Sequence, residues 1–201
     1  MSRRGARERA IDAATELIAE RGYAGTSVQA VADAVGIRKA SLLHHFPSKE
    51  ELRTAVLDAI VDRWREELPA LLAEVPEGHR RFEALVGRLV SYFRESPHRA
   101  RLVVREGLDR PEDMRELLRE HVSPWLTLIA PSIREGQASG RLHPGVDPEA
   151  YVLNVIFMAI WAVAMEPVAP SALPPPRDAD RAIAEMERIA HDSLFLPRPT
   201  T

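Results

Sequence analysis

Residues 26–52 read TSVQAVADAVGIRKASLLHHFPSKEEL, and the fold follows from this stretch. Two short runs of apolar residues at helical spacing meet at Gly36, with Val28, Val31 and Val35 before it and Ile37 and Leu42 after it. Ala32 stands four places before Gly36 and ten before Leu42. That is the spacing of a helix-turn-helix. A side chain larger than methyl at Ala32 would push the two helices apart, and Gly36 accepts the positive φ of a tight turn at no steric cost. The second helix, predicted over about Arg38–Phe46, turns Leu42 and Phe46 inward and leaves Lys39, Ala40, Leu43 and His44 outside. A helix so presented lies in the major groove of DNA.

Before this stretch, Ala10, Ile11, Ala14, Leu17 and Ile18 recur at three- and four-residue steps, which predicts an amphipathic first helix ended by Gly22 and Gly25. Thr26 with Gln29, and Ser48 with Glu51, have the spacing of capping boxes, so the second and fourth helices begin there. Beyond it, Leu52, Val56, Ile60, Trp64 and Leu68 step by four along a long helix that is expected to end at or soon after Pro69. Phe82, Leu85, Val86, Leu89, Tyr92 and Phe93 mark a fifth helix, and Ser96-Pro97 starts a sixth. Helical patterning resumes from Glu112 to Ala138, with kinks or a break expected at Pro124 and Pro131. Asp147-Pro148 opens an apolar helix over Tyr151–Met165. A proline-rich non-helical connection follows, then a last amphipathic helix over about Ala179–Phe195. No stretch alternates with period two. The expected fold is all-α, with about nine helices, a three-helix head at residues 1–50 and a helical body at 51–201.

Of the 201 residues, 45% are apolar and 28% charged, enough for a sizeable core. Without cysteine there is no disulfide framework, thiol nucleophile or cysteine-based zinc site. The acidic residues Glu8, Asp12, Glu16 and Glu20 interrupt any signal-peptide pattern, and the run Tyr151–Met165 is shorter than the roughly 20 residues of a membrane helix. A cytoplasmic protein without a membrane partner is expected. The net charge is −3, but residues 1–50 carry eight Arg or Lys against six Asp or Glu, so the positive excess falls on the head. Adjacent His44 and His45 project about 100° apart on a helix and do not share a metal ion; His45 is read as a packed histidine. No serine-nucleophile elbow or glycine-rich phosphate loop is present, so no enzymatic activity and no cofactor are expected.

The chain resembles the tetracycline-repressor (TetR) family of transcriptional regulators. The likeness is strongest over Ile11–Leu52, including AERGYAGTSVQAVADAVGI and ASLLHHFPSKEEL, and extends more loosely to EGQASGRLHPGVDPEAY. It implies a homodimer paired through the last two helices in a four-helix bundle, and a small-molecule cavity among the middle helices. The apolar run VLNVIFMAIWAVAM and Ala182, Ile183, Met186, Ile189 and Leu194 suit such pairing.

DNA contact is expected from Arg38, Lys39, Ser41, Leu43 and His44 on the recognition helix, with Arg38 and Lys39 reading base edges. Arg38 stands where the family commonly has a capping Ser or Thr. Leu43 replaces a phosphate-binding Tyr and is suited to a thymine methyl. Thr26, Ser27 and Lys49, at helix starts, are candidates for backbone phosphates, with capping as their other role. Arg3 and Arg4 are candidates for a basic arm.

Helical spacing of large residues ordinarily means core, but the resemblance puts an effector site among the same helices. Its candidate residues are Phe82, Tyr92, Phe93, Trp125, Phe157, Met158 and Trp161, with His121 and Asn154 as further polar handles. Such a lining predicts an apolar or aromatic effector. The expected function is a repressor released from a palindromic DNA operator by that effector. The alternative is an all-α ligand-binding or scaffolding protein that has lost DNA specificity.

Overall fold

The computed structural model describes residues 5–176 and 178–197; Arg3 and Arg4 lie outside them. The architecture is all-α. The head contains α1 (Ala6–Gly25), α2 (Val28–Val35) and α3 (Lys39–His45). The long α4 (Lys49–Glu74) leads into α5 (His79–Glu95), α6 (Pro97–Asp109), α7 (Pro111–Leu117), α8 (Ser123–Ala138), α9 (Pro148–Ala164) and α10 (Ala179–Leu194). The helix α1 packs on α2, α4 and α6; α6 continues onto α9, and α9 is flanked by α5, α8 and α10. One hydrophobic core therefore runs from Ala10 and Leu42 in the head to Val163 and Ala190 in the body.

The turn after α2 forms as its residues dictate. Gly36 has φ 71° and ψ 34°; its N–H donates to Asp33 O and that of Ile37 donates to Ala32 O, the paired bonds of a Schellman ending. Val31, Ala32 and Leu42 are fully buried. Gly22 breaks α1 with φ 74° and ψ 166°.

Four expectations need correction. The cap of α2 is Ser27, whose Oγ accepts from Ala30 N–H, while Thr26 is buried with its hydroxyl 3.0 Å from the carbonyls of Leu17 and Gly22. Gln29 bonds Asp33 instead of closing a capping box. Secondly, α4 runs past Pro69 to Glu74, because Pro69 sits on the exposed side where water reaches the carbonyl it orphans. Thirdly, Pro131 does not break α8: it is exposed and the helix runs through it to Ala138, whereas the break expected at Pro124 is present as a π-helical turn at Leu118–Val122, with Pro124 in the first turn of α8. Fourthly, His45 is exposed. The proline-rich connection after α9 contains one 3-10 turn, Ala169–Ala172.

Candidate DNA-reading face and central cavity

The exposed side of α3 follows from what its other side must bury. Leu42 and Phe46 anchor the helix, with the Arg7 guanidinium 5.3 Å above the Phe46 ring. Arg38, Lys39, Ser41 and His44 are then exposed and Leu43 is half-buried. Arg38 occupies the cap position of α3 without a side-chain capping bond, so its guanidinium is directed to no backbone group of that helix. Ser27 is exposed at the start of α2. Lys49 opens α4 with its ammonium 4.1 Å from the Tyr23 ring centroid. The Thr26 hydroxyl is turned inward, which leaves only its backbone for any outside partner.

Behind the head lies a polar junction that sequence reading missed. Arg53 donates through Nε to Glu106 at 2.7 Å and through Nη1 to Glu50 at 2.8 Å, with Asp113 3.1 Å away. The Tyr23 hydroxyl donates to Glu50 at 2.6 Å, and Arg110 lies over the Tyr23 ring. These contacts join α1, α4, α6 and α7. The hydrogen bond from Tyr23, together with Arg53 and Arg110, holds the Glu50 carboxyl below its usual range; burial and that same bond push the Tyr23 hydroxyl up. A signal existed: Arg53 is in helical register with Leu57 and Ile60, and Glu106 with Leu102, so each charge stands on an apolar face and requires a buried partner.

The body encloses a cavity of about 620 Å³ bounded by α4, α5, α8, α9 and the end of α10. Its walls are largely aliphatic: Leu68, Leu85, Val86, Leu89, Ile129, Ile133, Val152, Val155 and Ile156, with Trp64 and Trp125 at one end. Of the expected lining, Phe82 and Trp125 are present. The others point elsewhere. Tyr92 is buried beneath the wall, donating to Ile60 O, and Phe93 is core. His121, in the π turn, has Nδ1 2.6 Å from Arg65 Nη2. Asn154 is exposed and bonds Ala150 O; Met158 packs on the core outside the cavity. Phe157 and Trp161 are 43% and 56% exposed on the outer face of α9. The reason is common to these α9 residues: Val152, Val155, Ala159 and Val163 take the inward side of a helix apolar all round.

A helix-turn-helix head on a helical body with an internal cavity defines the DNA-binding regulator class. Family comparison makes this specific. The model described as "Bacterial regulatory proteins, tetR family" matches residues 10–56, and "Tetracyclin repressor-like, C-terminal domain" matches residues 79–194. The chain belongs to the TetR family of transcriptional regulators. It is 34% identical over 162 residues to the HTH-type transcriptional regulator RutR of Escherichia coli (strain K12), covering 76% of this chain and 68% of the relative. Its fold is similar to that of the ketosteroid transcriptional regulator KstR2 of Mycobacterium tuberculosis, with a TM-score of 0.74, 17% identity and 98% of each chain covered. It is also similar to the transcriptional regulator FadR of Bacillus subtilis, solved in complex with stearoyl-CoA, with a TM-score of 0.73, 17% identity and 92% and 98% of the two chains covered. No helix among the described residues is long and apolar enough to cross a membrane.

Proposed function

We propose that the chain is a cytoplasmic, homodimeric repressor that reads a pseudo-palindromic operator through α3 and releases it when a small, largely apolar effector fills the cavity. Residues 1–50 act as the DNA-binding domain and 51–201 as the effector and dimerisation domain. The observation that carries this reading is the exposed polar face of α3, Arg38, Lys39, Ser41 and His44, held over a buried Leu42. Arg38 and Lys39 read base edges and Leu43 meets a thymine methyl. Ser27 and Lys49 hold phosphates, with Thr26 contributing through its backbone alone.

The outward Phe157 and Trp161 of α9 and Ile189 of α10, each more than two-fifths exposed, support pairing of two copies through these helices. The volume and aliphatic walls of the cavity suit an apolar ligand, and the acyl-CoA partner of the Bacillus subtilis regulator is in keeping with one. The effector favours one tilt of α4, and the junction around Arg53 carries that tilt to the head, altering the separation of the two recognition helices.

Fluorescence anisotropy of the protein on DNA fragments flanking its own gene tests the reading. Specific binding that weakens steeply with salt is expected. Binding that is equal for every fragment, or absent, would leave a ligand-binding protein without DNA specificity.

A further inference from the structure

We infer that the cavity accepts an amphipathic carboxylate, its apolar tail at the Trp64–Trp125 end and its anionic head at Arg80 and Arg141. This rests on the reading of the cavity as the effector site, and it follows from how charge is distributed along the walls. The first residues of α5, from His79 to Arg81, and Leu89 all line the cavity. At 1.5 Å per residue, His79 and Leu89 lie about 15 Å apart along the helix. The basic group therefore occupies one end.

Three chain segments meet there. The His79 ring stacks on Phe195 with centroids 4.1 Å apart, Leu142 pairs with Phe195 in an isolated bridge, and Leu196 N–H donates to Arg141 O at 3.4 Å. Arg141 is thus brought to the same mouth as Arg80 and Arg81. Three arginines and one carboxylate, Glu77, line that mouth, where Arg80 and Arg141 are exposed and Glu77 is taken by Arg81 at 3.2 Å and by the Ser132 hydroxyl at 3.1 Å. Arg81 also donates to Val75 O. Arg141 donates to the Ser139 hydroxyl at 2.8 Å, and neither it nor Arg80 is paired with a carboxylate among the described residues.

The far end differs in kind. Trp64, Val86, Leu89, Trp125 and Val155 bound it with no charged side chain, and nearer the mouth, beside Leu142 and Phe195, the Tyr151 hydroxyl is spent on Ala190 O at 2.6 Å. A ligand charged throughout would bury unpaired charge at that end, and a neutral one would forgo the charge-assisted bonds that the exposed Arg80 and Arg141 offer at the mouth. A long apolar body with one terminal carboxylate matches both ends.

The test uses the full chain and three probes of equal tail length: dodecanoate, dodecanol and dodecyltrimethylammonium, each below its micelle concentration. Binding is read from the fluorescence of Trp64 and Trp125, with Trp161→Phe removing the third tryptophan. Dodecanoate is expected to bind at least about tenfold more tightly than dodecanol, as a charge-assisted hydrogen bond implies, with the cation weakest. The double variant Arg80→Gln/Arg141→Gln should reduce dodecanoate affinity to that of dodecanol and leave dodecanol binding unchanged. Equal affinity for acid and alcohol, or a preference that survives the double variant, overturns the head-group assignment alone. Failure of all three probes to bind overturns the effector site itself, and this inference with it.

Discussion

Arg53 and Glu106 form an ion pair inside the protein, Nη2 to Oε2 at 2.6 Å, with the two side chains 5% and 2% exposed. The pair joins α4 to α6 and so ties the helix that leaves the head to the body behind it. Removing one partner strands a buried charge, so Glu106→Ala is expected to cost about 3–5 kcal/mol in urea unfolding. The lower end is expected, because Glu50 and Asp113 still face Arg53 Nη1. The double variant Arg53→Met/Glu106→Leu should recover most of that loss, since well-packed apolar side chains often replace a buried pair without penalty.

The glycines that shape the head differ in what they demand. Gly36 sits in the ordinary left-handed region with nothing within 4 Å of an added Cβ. Gly22 combines φ 74° and ψ 166° with the Arg105 guanidinium, whose Nη1 would lie 2.9 Å from that Cβ. Gly36→Ala is expected to cost about 1 kcal/mol, and Gly22→Ala about 2–3 kcal/mol. Thermal unfolding of the two variants should rank them in that order.

On operator DNA, Arg38→Ala and Lys49→Ala should separate reading from holding. Loss of a base-reading Arg38 is expected to reduce discrimination at one operator position by about 1–3 kcal/mol. Loss of Lys49 should weaken binding to every fragment and lower the salt slope by about one. Competition anisotropy at several salt concentrations measures both.

Phe157 and Trp161 lie one helical turn apart on the outer side of α9. Phe157→Asp/Trp161→Asp is expected to yield a monomer in sedimentation velocity with unchanged far-ultraviolet circular dichroism, because neither side chain belongs to the subunit's core. A dimer that persists would move the interface elsewhere.

Hydrogen bonds from Arg88 at 2.8 Å, with Arg63 adding to them, hold the Glu67 carboxyl below its ordinary value of 4.5. A carboxyl depressed in this way stabilises the fold above the unfolded value and loses its contribution as pH falls through the folded one. Glu67→Gln should therefore lower the melting temperature at neutral pH, and its difference from the parent protein should vanish in acid. Melting curves from about pH 7 down to about pH 3 test the sign.

Local signals were legible wherever the physics is local. Gly36, Ser48 and the Ser96-Pro97 pair act on the backbone within a few residues, and the turns and helix starts they predict are present. Thr26 misled because two adjacent hydroxyl residues compete for one cap. Packing against α1 captured Thr26 and left the role to Ser27. Proline rules failed at Pro69 and Pro131 for a different reason: each lies on an exposed face, where solvent meets the backbone that the ring orphans.

The cavity was the least legible part. Large aromatic residues were expected in it, yet aliphatic side chains are the commonest in its wall, and of the expected aromatics only Phe82 and Trp125 line it, while Tyr92, Phe93, Phe157 and Trp161 lie beneath it or outside. Composition alone assigns no side to a helix such as α9, which is apolar around its whole circumference. The side is set by which residues, Val155, Ala159 and Val163 among them, are small enough to let α5, α6 and α8 approach.

By itself, then, the sequence determined the all-α character, the helix-turn-helix at residues 26–52 and the exposed polar face of α3, because these depend on periodicity, caps and one left-handed turn within a few residues. Tertiary structure alone decided the Arg53–Glu106 pair, the face of α9 turned to the cavity and the lining of one cavity by both Arg80 and Arg141. Each of these brings together residues more than fifty positions apart or chooses between faces of equal apolarity, and only the packing of whole helices sets such a choice.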